Sequence, residues 1–175
     1  LSMLYSCYNK KGVKAMDTQL FLQQAHELVK DEKNVVANMA NISAFLNEIL
    51  PNINWVGFYL LEDKELVLGP FQGKVACLRI PVGQGVCGKA ALLQQTVCVG
   101  DVHQFSGHIA CDERSKSEIV IPIIVRHELV GVLDIDSPYF NRFTAYDQKF
   151  LESIVDIIAK EIFEKVMPKK EVHRI

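Results

Sequence analysis

The period of the hydrophobic pattern changes at Pro51, and this change most limits the folds that the chain can adopt. Before Pro51, apolar residues recur every three to four positions, which places them along one buried face of a helix. This stripe is formed by Val35, Met39, Ile42, Leu46 and Ile49. After Pro51, the segment NWVGFYLLED alternates with a period of two, which is typical of a strand. The chain therefore combines helices with a sheet.

Further segments extend this pattern on both sides of Pro51. A first helix is predicted over residues 17–30 and a second over residues 32–50. Three strands follow, and the third, KVACLRIP, carries Cys77. A glycine-rich loop then leads into a short helix over residues 88–94, and the short apolar strand TVCVG carries Cys98.

The second half of the chain adds a long loop, a hairpin and a helix. Residues 101–117 lack periodicity, and loops of that length inside compact domains are usually functional. Residues 118–125 and 129–136 are predicted to form a hairpin, and Thr144 and Asp147 have the spacing of a capping box. The order of these elements predicts an α+β fold, in which helices pack against one antiparallel sheet.

Length and charge limit the organisation and the partners. The 175 residues predict one domain over residues 17–167, with an N-terminal arm at 1–16 and a charged tail at 168–175. The net charge of -2 argues against nucleic acid or a membrane surface as partners, and no apolar run is long enough to cross a membrane. We expect no secretory signal in the first residues and a cytoplasmic location.

Three of the five cysteines stand among glycines and polar residues: Cys77 in GKVAC, Cys87 in GQGVCG and Cys111 in GHIACDERSKSE. Because a reducing compartment disfavours structural disulfides, such cysteines are core fillers, metal ligands or redox catalysts. Their surroundings favour redox catalysis. Cys7 in the arm and Cys98 are expected to be incidental or buried.

The cysteine spacing argues against a bound metal. Zinc sites in sequences usually show paired cysteines or histidines at short intervals, and these three cysteines do not. His103 and His108 lie nearby, but no pair has ligand spacing. A cysteine–histidine pair of the protease type is a further alternative for Cys111.

The segment VLDIDS places two carboxylates on one face of a strand. Alternation puts Asp134 and Asp136 side by side, and Glu118 begins the strand expected to pair with theirs. Neighbouring carboxylates repel, so at least one pKa is raised if they are buried. We therefore expect three carboxylates to converge beside the cysteine loop. The alternative is that the aspartates lie solvated at a strand end.

Two aromatic residues share a strand face in the same region. Trp55 and Tyr59 flank Gly57, which leaves room for a ligand to approach. The alternative is that both aromatic residues are ordinary core residues.

Taken together, these motifs resemble one family, the free methionine-R-sulfoxide reductases. The similarity covers residues 54–147 and is carried by NWVGFYLLEDKELVLGPFQGKVACLRIPVGQGVCG, DVHQFSGHIACDERSKSEIVIPI and GVLDIDSPYFNRFT. It implies a GAF-like fold, with an antiparallel sheet flanked by helices, and usually a homodimer. It also implies reduction of the R epimer of free methionine sulfoxide in defence against oxidative stress, without a bound cofactor or metal. Electrons would come from thioredoxin, supplied by NADPH through its reductase.

The resemblance also implies roles for individual residues. Cys111 matches the nucleophile, Cys77 its disulfide partner, and Cys87 a third cysteine that either resolves or attacks. Glu118, Asp134 and Asp136 match the carboxylates of the site. Beyond the resemblance, we predict that Glu118 or Asp136 donates the proton and that the other carboxylates bind the substrate ammonium. Trp55 and Tyr59 match the aromatic wall around the substrate methyl group.

Two other functions compete with this interpretation. A small-molecule-sensing regulatory GAF domain would not need three cysteines, and a nucleotide phosphate would be repelled by Asp134 and Asp136. A structural dimerisation domain with incidental cysteines would be indifferent to thiol alkylation.

Overall fold

The computed structural model of the chain describes residues 15–107, 109 and 112–167. Most of the predicted N-terminal arm, with Cys7, and the predicted tail at 168–175 lie outside the described residues. So do His108, Ala110 and Cys111.

The described residues form four α-helices and one six-stranded sheet. The helices are α1 (Ala15–Val29), α2 (Val35–Ile49), α3 (Gly85–Leu93) and α4 (Ala145–Ile158). The strands are β1 (Trp55–Glu62), β2 (Glu65–Gly73), β3 (Arg79–Pro81), β4 (Val97–Val99), β5 (Ser117–Val125) and β6 (Glu128–Ser137). A 3₁₀ turn covers Val102–Gln104, and a π-helical turn at Ala159–Phe163 extends α4.

The sheet has the order β3-β2-β1-β6-β5-β4, and neighbouring strands are antiparallel. The predicted α+β class is confirmed. The predicted hairpin is also confirmed, because β5 and β6 are joined by Arg126 and His127 at φ 50 and 68. Two consecutive positive φ values are typical of the two-residue turn whose twist matches that of the strands.

Local signals explain where the helices begin. The Asn34 side chain accepts a hydrogen bond from the Ala37 amide and caps α2, so the helix begins at Val35 and not at residue 32. The predicted capping box of α4 is confirmed, since Thr144 and Asp147 bond each other's backbone amides. No helix in the described part of the chain is long and apolar enough to cross a membrane.

The core lies on one face of the sheet, under α1, α2 and α4. Alternate residues of the central strands point into it, including Val56, Phe58, Leu133 and Ile135. A second, smaller apolar cluster covers the opposite face, where α3 packs against β5 and β6. The two faces therefore carry different side chains of the same strands.

Two predictions about the cysteines need correction, and of the two alternatives for Cys98, incidental or buried, burial is excluded. Cys77 lies in the loop before β3 and not in a strand, and its carbonyl oxygen accepts a hydrogen bond from the Tyr59 hydroxyl. Cys87 lies in the first turn of α3, which begins at Gly85, where a φ of 62 favours glycine. Cys98 is exposed, because β4 is an edge strand.

Candidate active site

Strand pairing brings the predicted site residues into two rows across the sheet. In the first row, Asp136 of β6 lies between Trp55 of β1 and Glu118 of β5. In the second row, Asp134 lies between Gly57 and Val120. Because rows two residues apart face the same side of a sheet, these side chains converge on the face opposite the core. The register of three strands thus builds the site.

The carboxylates are not solvated at a strand end. Glu118 and Asp134 are each 6% exposed, and Asp136 is partly buried. Burial raises the pKa of all three carboxyl groups well above the ordinary value, and their neighbours' negative charges add to this shift. At neutral pH the cluster therefore tends to hold protons or to attract a cation.

Asp134 is the least satisfied member of this cluster. Its Oδ1 atom is buried and accepts no hydrogen bond. Among the described residues, no lysine or arginine forms a salt bridge with it. A buried carboxylate oxygen without a partner costs about 1–3 kcal/mol or more, so its position calls for a ligand that donates hydrogen bonds.

The aromatic wall is a stack of three rings. The rings of Trp55 and Tyr59 stack with centroids 5.9 Å apart, and the ring of Phe71 stacks on Trp55 at 5.3 Å. The Trp55 indole donates to the Lys74 carbonyl over 3.1 Å, which fixes the orientation of the ring. Trp55 and Tyr59 both line the same cavity as the carboxylates, and both are almost fully buried.

The expectation that Gly57 leaves room for a ligand is wrong. A Cβ atom built on Gly57 would lie 2.3 Å from the Phe71 Cβ and 2.6 Å from the Trp55 ring. The space beside this glycine is therefore filled by the aromatic stack. Glycine is needed there so that the rings can pack against the strand.

The two described cysteines of the site differ in environment. Cys87 is buried, and its thiol donates to Glu118 with an Sγ–Oε1 distance of 3.9 Å. Burial raises the pKa of this thiol well above its ordinary value, and the charges of Asp134 and Glu118 add to the shift. Cys77 is partly buried and packs at the edge of the second apolar cluster. Cys111 lies outside the described residues, although Ile109 and Asp112 on either side line the cavity.

The sequence analysis missed a polar network around Asp112, which follows Cys111 in the sequence. The Asn54 amide donates to Asp112 over 3.2 Å and to Ser115 over 3.0 Å. Arg114 donates to both carboxylate oxygens of Asp112 and lowers the pKa of that group. These bonds fasten the loop after Cys111 to the start of β1. The signal was the position of Asn54 directly before Trp55 and the polar run DERS after Cys111.

The cavity in which these groups meet is small, about 30 Å³. It contains a thiol, buried carboxylates and an aromatic wall. Such a set can bind a small cation, transfer a proton and hold an apolar group. One ligand atom each from Cys87, Glu118 and Asp134 lies within 4.8 Å of the others, so these three residues could hold a metal ion.

Comparisons with known proteins agree with this geometry. The model of the GAF domain family matches residues 20–162. The free methionine-R-sulfoxide reductase of Escherichia coli (strain K12) is 56% identical over 133 residues, which cover 76% of this chain and 81% of the relative.

Solved structures give the same result. The enzyme fRMsr of Staphylococcus aureus in complex with substrate is 51% identical, with a TM-score of 0.81, covering 87% of this chain and 99% of that chain. Free methionine-R-sulfoxide reductase from Neisseria meningitidis in complex with its substrate is 42% identical, with a TM-score of 0.82, covering 90% of this chain and 95% of that chain. The chain therefore belongs to the GAF-domain family and, within it, to the free methionine-R-sulfoxide reductases.

Proposed function

We propose that the chain reduces free methionine-R-sulfoxide to methionine by cysteine redox chemistry. The observation that carries this proposal is the unpartnered Oδ1 of Asp134, buried between Glu118, Asp136 and an aromatic wall. Free methionine sulfoxide offers an α-ammonium for the carboxylates and a methyl group for the rings. An acylated nitrogen carries no charge, which explains selection of the free amino acid.

In this proposal, Asp134 and Asp136 bind the ammonium. Its positive charge reverses the effect of burial and favours the ionised carboxylates. Trp55 and Tyr59 hold the substrate methyl group.

Glu118 is the proposed proton donor. It is more deeply buried than Asp136, and burial raises its pKa well above the ordinary value, which favours the protonated acid. The Cys111 thiolate attacks the sulfoxide sulfur and Glu118 protonates the sulfoxide oxygen. Methionine leaves, and Cys111 becomes a sulfenic acid, so the oxygen atom passes from substrate to enzyme.

We assign the resolving thiol to Cys77. The attack of a second thiolate on the sulfenic acid forms a disulfide and releases water. Cys87 is poorly suited to this step, since its buried thiol lies among carboxylates that oppose ionisation. Cys87 instead donates a hydrogen bond to Glu118 and helps to place it.

The recycling partner, assembly and location complete the proposal. Thioredoxin, at about −270 mV, can reduce the resulting disulfide, with NADPH as the source of electrons. A homodimer is consistent with the exposed apolar side chains of Leu20 and Leu28 on α1 and Tyr146 on α4. The free thiols of Cys87 and Cys98 suit the reducing cytoplasm.

The proposal is tested by measuring methionine released from separate R and S epimers of free methionine sulfoxide, with thioredoxin, its reductase and NADPH. We expect turnover of the R epimer, lost in Cys111→Ser. Cys77→Ser should release methionine once per enzyme and then stop. Turnover of neither epimer by the wild type would refute the proposal and favour a regulatory sensor.

A further inference from the structure

We propose that Cys87, Glu118 and Asp134 form a binding site for a thiophilic divalent cation such as Zn²⁺, and that the bound ion inhibits the enzyme by competing with substrate. The ion is an inhibitor and not a cofactor. The competition rests on the proposed function, since it requires Asp134 to bind the substrate ammonium. The ion site itself rests on geometry alone.

The three residues come from α3, β5 and β6, so their spacing in sequence does not resemble a metal motif. Their ligand atoms all lie within 4.8 Å of one another. In a tetrahedral zinc site, bonds of about 2.3 Å to sulfur and 2.1 Å to oxygen place these two atoms about 3.6 Å apart. The Cys87 Sγ and Glu118 Oε1 atoms are already 3.9 Å apart. Small side-chain rotations therefore suffice to bind an ion.

The unpartnered Oδ1 of Asp134 is a separate observation that points to a ligand. Asp134 is 6% exposed, lines the cavity, and forms no salt bridge with any described lysine or arginine. The cavity of about 30 Å³ has room for an ion with a water molecule as fourth ligand.

The thiol distinguishes a metal site from a site for ammonium alone. An ammonium group only donates hydrogen bonds, and a thiol sulfur is a weak acceptor, so Cys87 adds little to ammonium binding. A thiolate next to two carboxylates is instead a ligand set that suits zinc. The sulfur therefore makes the cluster more favourable for a soft divalent ion.

Binding of the ion requires protons to leave. The Cys87 thiol must release its proton to the solvent, together with any proton held by Glu118 or Asp134. No oxidant or reductant takes part. Because the ion displaces these protons, its affinity should increase as the pH rises.

The test uses the full chain, reduced and without oxygen, titrated with Co²⁺ as a spectroscopic substitute for Zn²⁺. We expect a thiolate-to-cobalt charge-transfer band in the near ultraviolet for the wild type. Cys87→Ser should lose the band, and Asp134→Asn should weaken binding about tenfold or more. Cys98→Ser and Cys77→Ser are matched thiol controls and should retain the band. Unfolding curves establish that each variant is folded.

Zn²⁺ and free methionine-R-sulfoxide should each displace Co²⁺ from the wild type. Absence of the band in the wild type, or its retention in Cys87→Ser, would overturn the ion site. Displacement by Zn²⁺ but not by methionine sulfoxide would overturn the competition. Because ion binding is read without turnover, an inactive enzyme that binds Co²⁺ would refute the proposed function and leave the ion site intact.

Discussion

The two faces of the central sheet are built from alternate residues of the same strands, yet they differ in chemistry. The face under α1, α2 and α4 presents buried apolar side chains such as Phe58 and Leu133. The opposite face presents Glu118, Asp134 and Asp136 beside an aromatic stack. A shift of one residue in register would exchange the two sets.

This difference shows where stability and function reside. Apolar burial on the core face contributes favourable free energy, at about 25 cal/mol per Å². Buried, mutually repelling carboxylates on the site face oppose folding unless they are protonated or paired. The core face therefore supplies the stability that lets the site face keep groups prepared for a ligand.

The largest expected effect comes from Glu118 on the site face. Glu118→Gln keeps the shape of the side chain but removes its transferable proton. We expect the single-turnover rate of methionine release to fall about 10²–10⁴-fold, with a much smaller change in substrate affinity. Asp136→Asn is the matched comparison and should weaken substrate binding more than the rate. An unchanged single-turnover rate in Glu118→Gln would show that another group supplies the proton.

A core residue should show the opposite behaviour. Phe58 lies on the core face of β1 and is fully buried, so Phe58→Ala leaves a cavity. We expect the free energy of unfolding to fall by about 3–5 kcal/mol, with little change in kcat/KM of the folded protein. Urea unfolding and steady-state kinetics measure the two quantities. A large loss of kcat/KM at unchanged stability would contradict the assignment of stability to the core face and of function to the site face.

Asp134→Asn should stabilise the protein while weakening substrate binding. Burial raises the pKa of Asp134, so the folded chain holds a proton that the unfolded chain loses above about pH 4. The free energy of unfolding of the wild type therefore decreases as the pH rises from about 4 toward the raised pKa of Asp134 in the folded chain. At pH 8 we expect the variant to be more stable than the wild type by about 1–3 kcal/mol, and less so at pH 5.

Urea unfolding at both pH values checks this prediction. Glu113→Gln, at an exposed position, is the control and should change stability by less than about 0.5 kcal/mol. A variant that is less stable than the wild type at pH 8 would contradict the account.

The smallest effect is expected at Cys98. This thiol is exposed on the edge strand and is 3.8 Å from the Phe143 carbonyl, away from the cavity. Cys98→Ser should leave turnover unchanged and stability within about 0.5 kcal/mol. Activity loss on mild alkylation should therefore be the same in Cys98→Ser and wild type. If Cys98→Ser protected the enzyme from inactivation by alkylation, Cys98 would take part in catalysis.

Much of the fold could be predicted because it depends on local patterns. The stripe from Val35 to Ile49, the alternation in β1 and the capping box at Thr144 each predicted an element that the structure contains. The strands of Glu118 and Asp136 were also expected to pair, but their register depends on an irregularity between Ile123 and Ile124. Without it, the two-residue turn would place Glu118 opposite Ile135.

The remaining features depend on contacts between distant segments. The space beside Gly57 is occupied by Phe71 from the neighbouring strand, which alternation within β1 cannot reveal. Cys77 lies outside the sheet, where its carbonyl oxygen accepts a hydrogen bond from Tyr59 of β1, a contact between segments that local periodicity cannot reveal. The grouping of Cys87 with Glu118 and Asp134 requires α3 to pack on the sheet, so sequence spacing gave no metal motif.

The central claim is that the carboxylate face of the sheet receives the ammonium of a free amino acid. Its most direct test compares turnover of free methionine-R-sulfoxide with that of N-acetyl-methionine-R-sulfoxide at equal concentration. The account predicts efficient reduction of the free amino acid and almost none of the acetylated compound, whose nitrogen carries no charge. Equal rates for the two compounds would contradict it, because the buried carboxylates would then have no part in recognising the substrate.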